Sequence, residues 1–479
     1  MKKTMLRLIC LALAVFMVFG VAGCKSNNTS SFGESTGDFN LDFNGNDTGS
    51  QDDVSLNESA VKGKGNATKA ETIADADSLS LNQLLSQIPS SLRGTTITFY
   101  NWNPVKEFTG AEAVISKFEK QTGIKVNWTT GGYDDYDSKI AAMINSGSSP
   151  DIIRFKDPSI HRMYLCDDIK TATGYDCKGA VWDSKLTSKY TVKGKIYAVN
   201  LKDTLFNEPY VFIYKKSKVD KYKLEDPYAI YKSGNWTWDR FISMCKQFKE
   251  FETGDDPWRT NTGIDYLNFS GKHLFTFDGS KYTNNLSSPE ISDGIKKMCE
   301  YRKNEYIGSA LRLPKHFEEG KMLFMTYSAI CLRKTNAWFT SVKADGDLYA
   351  VPIPSIPGVN GTSFSELEAY GVCKGAKNGA AAYYFLRYFL DASNYDPNTF
   401  FCNKQAYDVY KDCMAKSEYY VSTDASLIDI VGEGGNLAGL SKFVVEGGDF
   451  AQFNSERDRV MPTYNLAVKK ANEVLDKFS

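Results

Sequence analysis

Histidine is almost absent from the chain: three in 479 residues, His161, His273 and His316, all far apart. Zinc sites need several imidazole, thiolate or carboxylate groups at close spacing, and no C-x-x-C pair occurs either. No metal and no cofactor is expected. Surplus basic charge is missing too. With 57 Lys+Arg against 58 Asp+Glu the formal net charge is −1; the signs are interspersed, so no basic stripe can neutralise phosphates and nucleic acid is excluded as a partner. The chain also lacks a nucleophile elbow and a phosphate loop. The apolar run at the start, Leu6 to Phe19 behind Met1-Lys2-Lys3, is shorter than the roughly 20 residues a membrane-spanning helix requires. Followed by Gly20-Val21-Ala22-Gly23, it reads as a secretory signal.

Aromatic residues are plentiful, with 29 Phe, 28 Tyr and 7 Trp, and supply flat amphipathic faces for a core or a cleft. The length exceeds what one core serves, so two lobes are expected. Val21-Ala22-Gly23-Cys24 resembles the lipobox of bacterial lipoproteins. This implies removal of residues 1–23 and lipidation of Cys24, leaving the protein anchored on the outer face of the membrane. Residues 24–91 are expected to be a tether, flexible where Ser, Asn, Gly, Asp and Thr dominate; Leu79, Leu81, Leu84, Leu85 and Ile88 have helical spacing and suggest a small cap. Eight cysteines remain: Cys166, Cys177, Cys245, Cys299, Cys331, Cys373, Cys402 and Cys413. Export permits disulfides. Local pairs Cys166–Cys177 and Cys402–Cys413 are one arrangement, free buried thiols the other.

From Thr95 the pattern alternates. Thr95–Tyr100 is β-rich, Ala113–Phe118 is an amphipathic helix closed by Gly123, and Ile124–Trp128 is a second strand. A helix over Tyr136–Ile144 and a buried strand at Pro150–Ile153 follow. This β-α-β-α-β order predicts a parallel sheet, with ligand at the carboxyl ends of its strands. Three polar-aromatic loops lie there: Asn101–Asn103, Gly131–Tyr136 and Arg154–Asp157.

Several segments, in order, resemble family 1 extracellular solute-binding proteins, the maltose-binding-protein-like group. They are Phe118–Val126, Asn145–Ile153, Lys193–Val199, Val211–Lys216, Trp236–Phe241, Phe317–Met322, Val351–Pro354 and Lys374–Asn378. The resemblance covers Leu92 to about Leu390. Asn200 and Lys215 depart from it, standing where proline and asparagine are usual. It implies an α/β, two-lobe periplasmic-binding-protein-like (type II) fold with an interlobe hinge and ligand cleft. Residues 92–207 with 372–403 would form lobe one, and 208–371 with 404–479 lobe two. It further implies a monomer, not an enzyme, that delivers a small polar ligand to the permease subunits of an ABC importer.

Sugar capture needs flat rings against C–H faces and planar hydrogen-bonding groups for hydroxyls. Trp102 is the expected stacking platform, with Asn103 beside it. Asp134 or Asp135 is expected to touch ligand or to cap the next helix, and Asp157 to touch ligand or shape the turn before Pro158. Tyr266 and Trp338 are candidates in lobe two, and Glu368 or Tyr370 is expected to face the cleft. Trp236 and Trp238 read instead as core, with Thr237 or Asp239 capping an amphipathic helix. The rival reading, a lipid-anchored glycoside hydrolase, would need two carboxylates flanking the scissile bond; Asp134 with Asp135 and Glu366 with Glu368 are the pairs available.

Overall fold

The computed structural model describes residues 72–133, 135–156, 158–251, 260–261, 272–303, 314–354, 365–366, 368–416 and 449–478. The signal, Cys24, the tether up to residue 71, Asp134, Asp157 and Tyr266 lie outside the described residues. Strands β1 (Thr96–Asn101), β2 (Lys125–Thr130) and β3 (Ile152–Phe155) open the fold. Hairpin β4 (Thr191–Val192) and β5 (Lys195–Ile196) precedes β6 (Glu208–Lys215). Then come β7 (Thr260–Asn261), β8 (Phe275–Phe277), β9 (Tyr282–Asn284), β10 (Phe324–Ser328), β11 (Leu348–Pro352), β12 (Ser365–Glu366) and β13 (Ala369–Val372).

The first sheet has the order β13-β3-β1-β2. Its three N-terminal strands are parallel, as the β-α-β pattern predicts, with helices Ala111–Thr122 and Tyr136–Asn145 as crossovers. Gly123 takes a φ of 74° just past the first helix and so ends it where a side chain would be strained. Asp151 explains the Pro-Asp segment. One carboxylate oxygen accepts from Thr98 N and the other from Asn378 N, tying β1 to the loop that follows β13. Helix Gly379–Phe389 is buried on nearly every face, and Phe385 packs edge-on against both Phe99 and Phe118.

The second sheet is built differently. Its order is β11-β6-β10-β7, with β12 also paired to β6. The long strand β6 is its centre and runs antiparallel to β10, β11 and β12. Trp238 opens helix Trp238–Phe251, with Thr237 Oγ1 accepting from Arg240 N as the cap. Both tryptophans are buried as core, Trp236 with its indole N–H on Pro352 O. The C-terminal helix Phe450–Leu475 covers the β8–β9 hairpin, and Phe478 beyond it packs on Tyr164 and Tyr197.

Three expectations change. The chain rejoins the first sheet with β13 at Ala369, before the return expected at residue 372, because Ala369–Val372 pair antiparallel with β3. The tether is docked from Thr72 onward: Asp77 accepts from Lys178 N, Gly179 N, Trp182 Nε1 and Tyr383 Oη. The cap helix itself is present as Leu81–Ser86, with a Ser80–Gln83 capping box. Finally, of the cysteine arrangements left open by the sequence, the local Cys166–Cys177 pair is not formed: Cys166 lies across from Cys373.

Candidate functional site

Two chain crossings join the sheets, one entering β6 at Glu208 and one leaving β12 for β13 through Glu368. Both acids are wholly buried, as are Arg154 at the end of β3 and Arg333 just after β10, at 0–2% exposure. Arg154 Nε donates to Glu368 Oε2 at 2.7 Å, and its Nη2 to Glu368 Oε1. Glu208 Oε1 lies 3.4 Å from both guanidinium groups, while its Oε2 accepts from Ser328 Oγ at 2.9 Å. Burial alone would lower the basicity of Arg154, but the facing carboxylates more than reverse this and its pKa is raised. Asn200 completes the frame by donating to Asn207 Oδ1 and to the Glu368 carbonyl. The residue that departs from the family pattern thus holds both crossings together.

On this frame sits the first aromatic loop. Asn103 Oδ1 accepts from Arg154 Nη1 at 2.8 Å, its Nδ2 donates to Glu107, and its carbonyl accepts from Trp128 Nε1. Trp102 is only 9% exposed. The Arg154 guanidinium lies 4.5 Å from its ring centroid, while Tyr133 and Tyr136 meet it edge to face. Gly131 lets the second loop close over Tyr100, since a Cβ there would fall 1.7 Å from the Tyr100 hydroxyl. Tyr133, by contrast, stands 58% exposed beside Trp102.

On the second sheet's side, β10 leads through Arg333 to a turn in which Asn336 Oδ1 accepts from Trp338 N. Lys343 Nζ donates to the carbonyls of Arg333 and Asn336 and pins that turn. Trp338 is 37% exposed and leans on Tyr327, ring centroids 5.9 Å apart. The Thr109 and Thr335 hydroxyls meet at 2.7 Å, joining the first-sheet loops to this segment.

The structure therefore gathers Trp102, Asn103, Glu368 and Tyr370 around Arg154, and sets Trp338 on the other side of the crossing. Glu368 and Tyr370 do not present a free surface: Glu368 is spent on Arg154, and Tyr370 lies in the sheet against Phe99, its hydroxyl without a hydrogen-bond partner. Asp135 is exposed, ion-paired with Lys139 at 2.6 Å, and occupies the helix N-cap position without a side-chain cap bond. Sequence reasoning passed over Tyr133 in favour of its acidic neighbours. Its signal was an aromatic residue after two glycines, at the tip of a loop already expected to meet ligand. Arg154 stands in the sequence only as the first residue of the third loop, since its partners lie 54 and 214 residues away. No group of three or more metal-ligating side chains occurs among the described residues. A surface cavity of about 460 Å³ lined by Tyr231, Lys232, Gly234, Trp236, Asp412 and Lys416 contains none of these loop residues. The crossing, where both sheets contribute side chains, remains the better candidate.

A family model described as bacterial extracellular solute-binding protein matches residues 113–399. A comparison with the curated proteins found no match. Among solved structures, the galacto-N-biose-/lacto-N-biose I-binding protein of Bifidobacterium longum, in complex with lacto-N-biose, aligns with a TM-score of 0.58 at 17% identity, covering 78% of this chain and 98% of that one. An ABC substrate-binding protein of Listeria monocytogenes in complex with cycloalternan gives 0.55 at 17% identity, over 78% and 99% of the two chains. UgpB of Mycobacterium tuberculosis in complex with glycerophosphocholine gives 0.56 at 16% identity, over 78% and 98%. These likenesses establish the two-lobe periplasmic-binding-protein fold.

Proposed function

We propose, from the premise that this chain belongs to the bacterial extracellular solute-binding proteins, that it captures an oligosaccharide outside the cell and passes it to an ABC importer. The observation that carries the ligand class is the pair of exposed rings, Tyr133 and Trp338, on loops flanking a crossing whose two buried arginines are matched by two buried glutamates, with the partly exposed Lys156 3.9 Å from Glu208. A neutral, ring-shaped, hydroxyl-rich ligand suits such a surface. An anionic ligand would find the crossing's two arginines already matched, and exposing either would leave a buried glutamate unpaired.

In this reading Tyr133 and Trp338 stack on sugar faces. Trp102 and Asn103 line the cleft floor, and Asp135, with its neighbour Asp134, Asp157 of the third loop and Tyr266, supplies further polar contacts. Closure about the two crossings brings the rings together, and ligand shifts that equilibrium by binding the closed form better. The receptor role without turnover is supported by Glu368, whose carboxylate is held by Arg154 away from any substrate, so it cannot serve as half of a hydrolytic pair. Lipidation at Cys24 would keep the protein near its permease.

Calorimetry with a panel of oligosaccharides, plus glycerophosphodiesters because one structural neighbour binds one, tests the ligand class. A sugar that binds without release of shorter products is the expected result. Silence across the sugars with binding of a phosphodiester would replace the carbohydrate assignment, and product release would replace the receptor one.

A further inference from the structure

Cys166 and Cys373 are 207 residues apart in sequence but directly opposed in space, as an isolated antiparallel bridge between the segment after helix Ile160–Tyr164 and the residue that follows β13. Asp167 N donates to Val372 O at 3.0 Å and Lys374 N to Leu165 O at 2.9 Å. These bonds flank the two cysteines, which exchange none between themselves. That is the non-hydrogen-bonded type of antiparallel pair, with Cα atoms about 4.5 Å apart, inside the roughly 4.4–6.8 Å span of disulfides. The side chains also share a face. The Cys166 Sγ lies 2.7 Å from the point where a Cβ on Gly371 would stand, and residues 371 and 373 lie on the same side of their strand. The missing side chain at Gly371 leaves the room that this thiol occupies.

We propose that Cys166 and Cys373 are joined by a disulfide in the extracellular protein, stapling the returning strand β13 to the loop after helix Ile160–Tyr164. The location follows from the family, and the outside of the cell is where disulfides persist. The reaction is thiol–disulfide exchange with an acceptor disulfide, either oxidised glutathione or an extracytoplasmic dithiol oxidant. One cysteine thiolate attacks the acceptor, releasing one thiol. The second cysteine then attacks the mixed disulfide, releasing the other thiol. The two cysteines lose two protons and two electrons, and the acceptor is reduced to two thiols. Both cysteines have no exposure, and burial pushes both thiols far above their usual range. Thiolate is therefore scarce once the protein has folded, so the bond forms during folding and is afterwards shielded from reductants.

The staple would fix the one antiparallel strand of the first sheet. It lies three residues past Tyr370 and five past Glu368, so it stabilises the segment that carries the buried ion pair to Arg154.

The test is to refold the reduced, unfolded full-length chain in a glutathione/glutathione disulfide buffer and, separately, in dithiothreitol. Remaining thiols are then alkylated and the linked peptides mapped by mass spectrometry. The expected product of the redox buffer is a peptide pair joining Cys166 to Cys373, two hydrogens lighter than the sum of its parts, in a protein melting several degrees above the reduced form. Full alkylation of both cysteines, or linkage of Cys166 to Cys177 instead, overturns the proposal. Cys166→Ala and Cys373→Ala should each abolish the redox-dependent melting shift, with the double variant losing no more than either, and Cys413→Ala should retain it. Should a single variant fail to fold, the peptide map of the unaltered chain decides.

Discussion

At the crossing between the two sheets, Arg154, Glu208, Arg333 and Glu368 are sealed at 0–2% exposure, whereas Tyr133 and Trp338 on the adjoining loops stand 58% and 37% exposed. The first group is charged, and its members pair with one another and with Asn103, Ser328 and the Phe206 carbonyl; the second is aromatic and leaves ring surface open. Usual expectation would put aromatics inside and charge outside. The inversion shows which task each group performs. Buried charges that depend on one another define where the two chain crossings lie, while the exposed rings are the ones assigned to ligand in the proposed function.

The sharpest way to break this comparison is to remove a buried charge. Glu368→Ala leaves Arg154 without its main partner and should cost about 3–5 kcal/mol in denaturant unfolding. A cost below about 1 kcal/mol together with lost ligand affinity would instead make Glu368 a ligand contact. Asp77→Ala removes the acceptor for four donors where the N-terminal segment docks. It should cost about 2–3 kcal/mol and expose the segment around Thr72–Leu92 to protease, with ligand affinity unchanged.

Acid separates stability from the rim. Burial, with Lys189 nearby, holds the His273 imidazole down to about 4. The unfolded chain, with an ordinary value of about 6.5, takes up the proton first. This contribution is therefore whole above about pH 6.5 and is lost as the pH falls toward 4, by roughly 3 kcal/mol. His273→Gln should flatten that part of the stability profile and leave affinity untouched. The smallest effects on the fold belong to the rim. Tyr133→Ala and Trp338→Ala should each weaken sugar binding about tenfold, ~1.4 kcal/mol, while unfolding stability shifts by less than about 0.5 kcal/mol. Equal losses of stability and affinity would show that the rings are packing residues after all.

The parallel core of the first sheet was legible because its information is local. Thr96–Asn101, Lys125–Thr130 and Ile152–Phe155 alternate with helices whose apolar spacing and terminal glycine are visible in windows of about a dozen residues. Thr237 announced its helix in the same way. The second sheet was less open to such reading, because β6 draws partners from 110 or more residues downstream, and only the family-like segments pointed to it. Among the candidate site residues, topology singles out the loops, but the exposure of the side chains within them is decided by distant partners. Trp102 lies one residue past β1 and Tyr133 three past β2, and both look equally eligible on paper. Arg154 lies over the Trp102 ring, whereas Tyr133 stands 58% exposed.

What the sequence determined by itself was a globular, near-neutral, aromatic-rich α/β chain without a histidine or cysteine cluster for metal, opening on a parallel sheet with polar-aromatic loops at its strand ends. Composition and short-range periodicity suffice for that, since they act within a turn or a strand. Tertiary structure alone decided that Asp77 is a docking anchor, that Cys166 faces Cys373 and not Cys177, and that Glu368 belongs to Arg154. Each is a pairing across about 100 to 310 residues. Such contacts gain their energy only after the loop between them has closed, so nothing in the neighbouring residues records them.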